Sequence, residues 1–369
     1  MIPIAEPLLA WYTRHGRHDL PWRQTRDPYG LWLAEIMLQQ TRVESVKPYY
    51  TRFLQALPNW RTLAAAPQDQ VLALWSGLGY YTRARNAQRA AQLVMADFAG
   101  RFPDTLEKAI TLPGVGRSTA AALLASAFGH RQAILDANAR RVLIRSHAID
   151  VDPKTTATQQ WLWTLADALT PEDAHGYNQA IQDLGAVICT PRQPRCPNCP
   201  LASRCKAHAQ GRSHALPVTV NRPPKPQRRA FFLLAADPEG RILLEKRPDS
   251  GIWGGLWCLP QAAPDGGEFS FRCNDTLPPL EDTPAIRQFL QETWSRRLGL
   301  DLQLTALAEE QQHVFTHFQL CFRCAYARVL DRAVADSPAT LRWYRLPDAL
   351  TQGLPTPIRR ILRNLGERR

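Results

Sequence analysis

The chain lacks the long apolar runs that cross membranes. Its 369 residues contain no uninterrupted stretch of eighteen apolar residues, so no transmembrane helix is expected. The opening segment MIPIAEPLLAWYTRHG carries Glu6 early and has no basic region leading into a long apolar core. It does not read as a secretion signal, and a cytoplasmic protein is expected. Negative charge is also short: 33 Asp and Glu stand against 45 Lys and Arg, a formal net charge of +12. Such an excess points to a polyanionic partner, with nucleic acid ahead of a membrane surface. A 45% hydrophobic and 21% charged composition excludes a disordered or fibrous chain, and the length suffices for two or three domains with their own cores.

Residues 1–205 carry helix-type apolar spacing between Gly and Pro breaks, as in AEIMLQQTRVESVKPYYTRFLQAL and KTTATQQWLWTLADALT, with no β-rich segment between them. Residues 206–229, KAHAQGRSHALPVTVNRPPKPQRR, hold four prolines and no Asp or Glu, which reads as an extended, semi-rigid basic linker. From Ala230 to the end, short strand-like runs (AFFLLAA, RILLEKR, HVFTHFQLCFRCAYARV, LRWYRL) surround one helical run, TPAIRQFLQETWSRRLG. An all-α domain followed by an α+β domain is the expected architecture.

The eight cysteines are unevenly spread. Cys258, Cys273, Cys321 and Cys324 are scattered and read as buried thiols. Cys189, Cys196, Cys199 and Cys205 form C-x6-C-x2-C-x5-C over residues 189–205. A zinc ribbon uses two C-x2-C pairs, and this segment has one. Four thiolates in one compact loop after a helix suit a single [4Fe–4S] cluster, with structural zinc as the alternative. Pro191, Pro194, Pro197 and Pro200 stiffen the loop, and Arg192, Arg195, Arg204 and Lys206 charge it for a phosphate backbone.

Two carboxylates stand in contrasting settings. Glu35 lies in LWLAEIMLQQ beside apolar helical neighbours Leu31 and Leu38, which should destabilise its charged form and raise its pKa, as a general acid requires. An exposed Glu on an amphipathic helix is the bland alternative. Asp136 opens DANARRVLIRSH after the strand-like QAIL; it reads as an N-cap whose carboxylate helix N–H groups keep ionised. In LPGVGRSTAA, Gly114 and Gly116 precede a helix and allow backbone N–H groups to approach a phosphate, while the nucleotide-binding G-x-x-x-x-G-K-[ST] spacing is missing.

A glycine-rich hairpin, an Asp some twenty residues later and the four-cysteine loop together resemble the endonuclease III superfamily of helix-hairpin-helix DNA glycosylases. Within it, LAEIMLQQT, GLGYYTRARN, GLWCLPQ and FTHF are similar to the adenine-specific branch, closely over 1–205 and more loosely over 230–345. The resemblance implies an all-α helix-hairpin-helix glycosylase domain (1–205), the linker, and a Nudix-like 8-oxoguanine-recognition domain (230–369). It implies that Glu35 protonates a departing adenine, that Asp136 stabilises the cationic sugar, and that Asn138 supports Asp136. Gln39, Gln40, Thr41, Leu78 and Tyr80 are implied to enter double-stranded DNA, with Trp22 and Arg23 at the adenine pocket; cap and core roles are the alternatives, and Tyr81 reads as core.

Family hairpins often hold a monovalent cation through their carbonyls. Ser118 stands where the lyases of the superfamily place a Schiff-base lysine, so a monofunctional enzyme is implied; the alternatives are a bifunctional lyase for oxidised pyrimidines or a non-catalytic redox-sensing DNA binder. In the Nudix-like part, AIRQFLQETWSRRLGL keeps Glu292 and Gly299 of the REUXEEXGU helix, where U is aliphatic. It lacks the paired glutamates, so a binding role is expected over hydrolysis. Phe315, Thr316 and His317 resemble the F-S-H-like turn of 8-oxoguanine recognition, with Thr in place of Ser. The expected partner is DNA carrying adenine opposite 8-oxoguanine or guanine, bound by a monomer.

Overall fold

The computed structural model describes residues 2–218, 223–262, 280–332 and 340–367; Cys273 lies outside them. Among the described residues no helix is long and apolar enough to cross a membrane. The chain forms two compact units, Met1–Ala66 with Arg85–Arg222, and Pro67–Ala84 with Pro223–Arg369.

The first unit is helical. Its main helices include Ala5–His15, Pro28–Leu38, Val43–Ala56, Arg117–Phe128, Ala137–His147, Thr156–Leu169 and Ala174–Val187. Local chemistry sets their starts: Asp27, Asp136, Thr155 and Asp173 each accept a backbone N–H of the first turn, and Pro28 opens its helix where no N–H partner is needed. Apolar faces then meet in a core that includes Leu8, Leu143, Ile144, Leu162, Ile181 and Leu184. Its closest helix crossing depends on Gly185. A Cβ there would lie 2.6 Å from the Asn138 Cβ and 3.0 Å from its Cα.

Two local expectations need correction. QAIL (132–135) is extended but is no strand, because side chains take up its backbone groups: Asn178 donates to the Gln132 carbonyl and the Leu135 N–H donates to Ser118 Oγ. The basic stretch 206–229 is not extended throughout. Lys206–Ala209 is a helical turn with Ala207 fully buried, Leu216 is buried as well, and Gln227–Arg229 already belong to a strand.

The second unit carries a mixed sheet: β1 (Gln227–Ala236), β2 (Ile242–Lys246), β3 (Trp257–Cys258), β4 (Gln261–Ala262), β5 (Leu300–Leu307), β6 (Gln311–Val314), β7 (Gln319–Arg332) and β8 (Leu341–Tyr344). The spine runs β3-β2-β1-β7-β5, with β1 and β7 parallel from Gln227↔Gln319 to Ala236↔Arg328. The middles of β1 (Ala230–Ala235) and β7 (Leu320–Phe322 with Cys324 and Ala325) are apolar and buried on both faces, as strands covered on both sides must be. Cys321 and Cys324 are both buried in β7 and Cys258 in β3, as packing thiols. Helix Pro284–Leu298 lays Leu290 and Trp294 on the sheet beside Phe231 and Leu233.

Gly185→Ala should destabilise the protein by about 1–3 kcal/mol, since the added methyl meets backbone that cannot step aside. Chemical denaturation followed by circular dichroism measures this; an unchanged midpoint would show that the crossing can open at no cost.

Candidate active site

Helix Pro28–Leu38 carries Glu35 between Ala34 and Ile36, both buried. Burial pushes the Glu35 carboxyl up to about 7, the negative charge of Asp136 pushes the same way, and Arg23 opposes both. The two carboxylates named from sequence are therefore close enough to interact electrostatically. Glu35 is the one that keeps its proton near neutrality.

Asp136 is the N-cap of helix Ala137–His147, with its Oδ1 2.7 Å from the Ala139 N. The Asn138 N–H and the charges of Arg141 and Arg140 also favour its anion, but burial outweighs them and the net shift is upward. The helix donors expected from the sequence are present, but they do not bring its pKa below the ordinary carboxylate value, because desolvation is the larger effect. Asn138 supports Asp136 through its backbone. Its side chain turns elsewhere, its Oδ1 accepting from Arg141 Nη2 at 2.8 Å. Arg141 also donates to the carbonyls of Gly185 (2.7 Å) and Cys189 (2.6 Å).

Ser118 sits in the first turn of helix Arg117–Phe128, and its Oγ accepts the Leu135 N–H at 3.0 Å, fixing the backbone one residue before Asp136. Gly114 has φ +80°, a left-handed conformation suited to glycine, and its carbonyl accepts from Gln39 Nε2 at 3.0 Å. Gly116 has an ordinary φ, and a Cβ there would meet nothing within 4 Å. The protein's own packing does not require glycine at 116. Gln40 follows with φ +59° and is exposed, while Thr41 Oγ1 turns back to the Gln39 carbonyl at 3.4 Å.

Trp22 is buried, edge-on to Tyr50 at 5.4 Å between ring centroids. Arg23 forks onto Asp183, Nη1 to Oδ2 at 2.7 Å and Nη2 to Oδ1 at 2.8 Å. Asp183 is fully buried, also takes the side chain and backbone N–H of Arg17, and is held below the usual carboxylate range by these donors against the cost of burial. The sequence reading missed Asp183, Arg17 and Arg141. The one available signal was the basic pair Arg17 and Arg23 within HGRHDLPWR, whose partner lies 166 and 160 residues away.

The four loop cysteines line one cavity together with Arg145, Ile188 and Pro194, and all four are free and half-buried. Burial pushes Cys199 up to about 12, reinforced by Cys189, Cys205 and Cys196, so a thiolate at Cys199 is disfavoured without a compensating positive charge. Arg145, itself buried, donates to Cys189 Sγ (3.4 Å) and to the carbonyls of Thr190 and Pro191, which shapes the loop's first limb. Among the described residues no three His, Cys, Asp or Glu side chains converge on one point suited to a metal ion. The thiols surround a space.

In the second unit, β6 and β7 are joined by a turn closed by the Phe315 N–H on the Phe318 carbonyl. Phe315 stacks on Phe318 at 4.3 Å and anchors the turn, leaving Thr316 and His317 exposed. Tyr80, with φ +50°, is 45% exposed, and its hydroxyl lies 3.2 Å from Thr316 Oγ1. Leu78 and Tyr81 are buried.

Residues 33–167 match the HhH-GPD superfamily of base excision DNA repair proteins, and residues 231–364 match the NUDIX domain. The fold of the first unit is thus that of a helix-hairpin-helix DNA repair protein. The chain is 34% identical over 97% of its length to the adenine DNA glycosylase of Buchnera aphidicola subsp. Baizongia pistaciae, covering 95% of that protein. It is 33% identical over 98% of its length to that of Mus musculus, covering 78%, and 33% identical over 96% to that of Homo sapiens, covering 72%. This chain belongs to the adenine DNA glycosylase family. A thermostable thymine-DNA glycosylase of solved structure, 31% identical, superposes with a TM-score of 0.51 over 56% of this chain and 95% of that one.

The raised Glu35 pKa has a stability consequence. The folded chain keeps this proton up to about 7, whereas the unfolded chain releases it near 4.5, so the associated stability is complete below 4.5 and lost as pH rises through 7. Glu35→Gln should be level with wild type at pH 4.5 and more stable by about 3 kcal/mol above pH 8, read by urea denaturation. A pH-independent difference would show that Glu35 is not buried as its own acid.

Proposed function

We propose that this protein is a monofunctional glycosylase that hydrolyses the N-glycosidic bond of adenine paired with 8-oxoguanine or guanine in DNA. The observation that carries the reading is the pairing of Glu35, protonated up to about pH 7, with Asp136 in the same site. The departing adenine needs a proton and the sugar it leaves needs a nearby negative charge. Glu35 supplies the first and then helps direct water. Asp136, held by the Ala139 and Asn138 N–H groups, supplies the second as the sugar becomes cationic. Each carboxyl disfavours ionisation of the other, which keeps one proton in the site for transfer.

Ser118 offers a hydroxyl that is already engaged with the Leu135 N–H, and no amine for Schiff-base capture of the sugar. The product is then an abasic site with an unbroken strand. The hairpin at Gly114 and Gly116 receives a phosphate, the Gln39–Thr41 corner and the Tyr80 loop open the stack, and the extruded adenine is bounded by Trp22 and Arg23. Thr316 and His317 read the base left behind. The Nudix-like helix keeps Glu292, whose Oε1 accepts from Gln288 Nε2 at 2.9 Å, without the clustered glutamates a pyrophosphatase needs. Binding is its role here. The monomeric protein works where the DNA is, in the cytoplasm at the nucleoid.

Cys189, Cys196, Cys199 and Cys205 would hold a [4Fe–4S] cluster, since their sulfurs line a common space lined also by Arg145. Bound there, a cluster supplies four thiolate cross-links and a one-electron centre.

A duplex with adenine opposite 8-oxoguanine should break at that adenine only after hot alkali. No alkali-sensitive site sinks the glycosylase reading, and efficient breakage without alkali points to a lyase. Glu35→Gln should reduce adenine release at least 10²-fold, the size typical of a lost general acid, while still binding the duplex. Purified protein should show the visible absorption of iron–sulfide charge transfer, with iron and acid-labile sulfide in equal amounts; zinc in their place would refute the cluster.

A further inference from the structure

The second compact unit includes Pro67–Ala84, the segment that presents Tyr80, and it is fastened there by hydrogen bonds to the chain just before and within helix Thr356–Glu367. The Ser76 hydroxyl donates to the Leu354 carbonyl at 2.8 Å and accepts the Leu354 N–H at 3.1 Å. The Tyr81 hydroxyl donates to the same carbonyl at 3.0 Å and accepts the Gly77 N–H at 3.2 Å. Arg359, in the helix's first turn, ties these together. Its Nη2 donates to Ser76 Oγ at 2.8 Å and to the Gln352 carbonyl at 2.8 Å, and its Nη1 to the Leu350 carbonyl at 2.7 Å. One guanidinium fork thus closes the Leu350–Leu354 turn and grips the base of the tyrosine loop.

The loop above this grip is strained. Gly77 and Gly79 have φ +102° and +77°, and Tyr80, a non-glycine, has φ +50°. A residue so placed stays there when its surroundings over-determine it. Two anchors hold it: the buried Ser76–Tyr81–Leu354–Arg359 network below, and the Tyr80 hydroxyl on Thr316 Oγ1 above. Arg83 adds a cationic face 5.3 Å from the Tyr80 ring.

We propose that Arg359 is a positioning residue that sets the Tyr80 loop against Thr316 and so governs discrimination of the base opposite the excised adenine. The inference rests on the glycosylase reading above. Arg359 touches no reacting group; it acts through Ser76. Substitution frees the loop to leave Thr316, and the loss falls on recognition of 8-oxoguanine rather than on bond cleavage.

Two variants of the full-length protein test this. Arg359→Met keeps the aliphatic stem and removes the fork; Ser76→Ala leaves the Arg359 bonds to Leu350 and Gln352 in place. In the DNA-free protein, hydrogen exchange at residues 77–81 should quicken at least tenfold in both variants, with β7 unchanged as the check on folding. In single-turnover assays the preference for adenine opposite 8-oxoguanine over adenine opposite guanine should fall about tenfold, and Arg359→Met should cost nothing more on a Tyr80→Ala background. Unchanged exchange at 77–81, equal losses on the two duplexes, or losses that add to those of Tyr80→Ala would each overturn the proposal. Wild-type protein that releases no adenine from either duplex would count against the glycosylase reading instead, and the exchange measurement would then decide the grip of Arg359 on its own.

Discussion

The first unit is organised around the cost of burying negative charge. Asp183 is fully shielded from water, and a carboxylate in that position survives as an anion because two arginines and a backbone N–H surround it. The demand shapes more than one helix. It pins the turn around Arg17 and Pro21–Arg23 to helix Ala174–Val187, and it fixes the guanidinium of Arg23 where its charge reaches Glu35. Glu35 and Asp136 are treated differently. Neither has a dedicated arginine, and both are pushed toward the neutral form by burial. A structural carboxylate is fully paired, whereas the candidate catalytic carboxylates have less compensating charge, and Glu35 keeps its proton up to about 7.

Backbone geometry around Asp136 is over-determined in the same spirit. Ser118 holds the residue before it, Ala139 and Asn138 donate from after it, and Gly185 lets the neighbouring helix approach Asn138 at backbone distance. Arg141 then joins Asn138 to the carbonyls of Gly185 and Cys189. The first residue of the cysteine loop and the helix that begins at Asp136 therefore share a side chain, and a cluster assembled in that loop would stiffen the site without touching a reacting atom.

The second unit's fold rests on the apolar packing of its sheet and helix. Parallel pairing of β1 with β7 places Phe231, Leu233, Cys321 and Ala325 on the face that meets the helix and Phe232, Leu234, Phe322 and Cys324 on the other. That packing needs no cluster of glutamates on the helix. At the β6–β7 turn the half-buried Phe315 stacks on Phe318 and leaves Thr316 and His317 exposed.

Much was legible in the chain itself because local chemistry writes it there. Helical periodicity, the caps at Asp27 and Asp136, the glycine demand at 114, the clustering of four cysteines and the two-sided apolar strands are properties of short segments, and short segments display them. Glu35 in its apolar run already implied a raised pKa. What tertiary structure decided depends on pairs far apart in sequence: Asp183 with Arg17 and Arg23, Ser118 with Leu135, Arg359 with Ser76, and the balance at Asp136, where burial overrides the helix donors visible in its own sequence. Desolvation is set by everything that packs around a group, and no window of sequence contains it. The sequence by itself thus determined which residues could do chemistry, and folding alone decided which of them are held neutral, held charged, or held still.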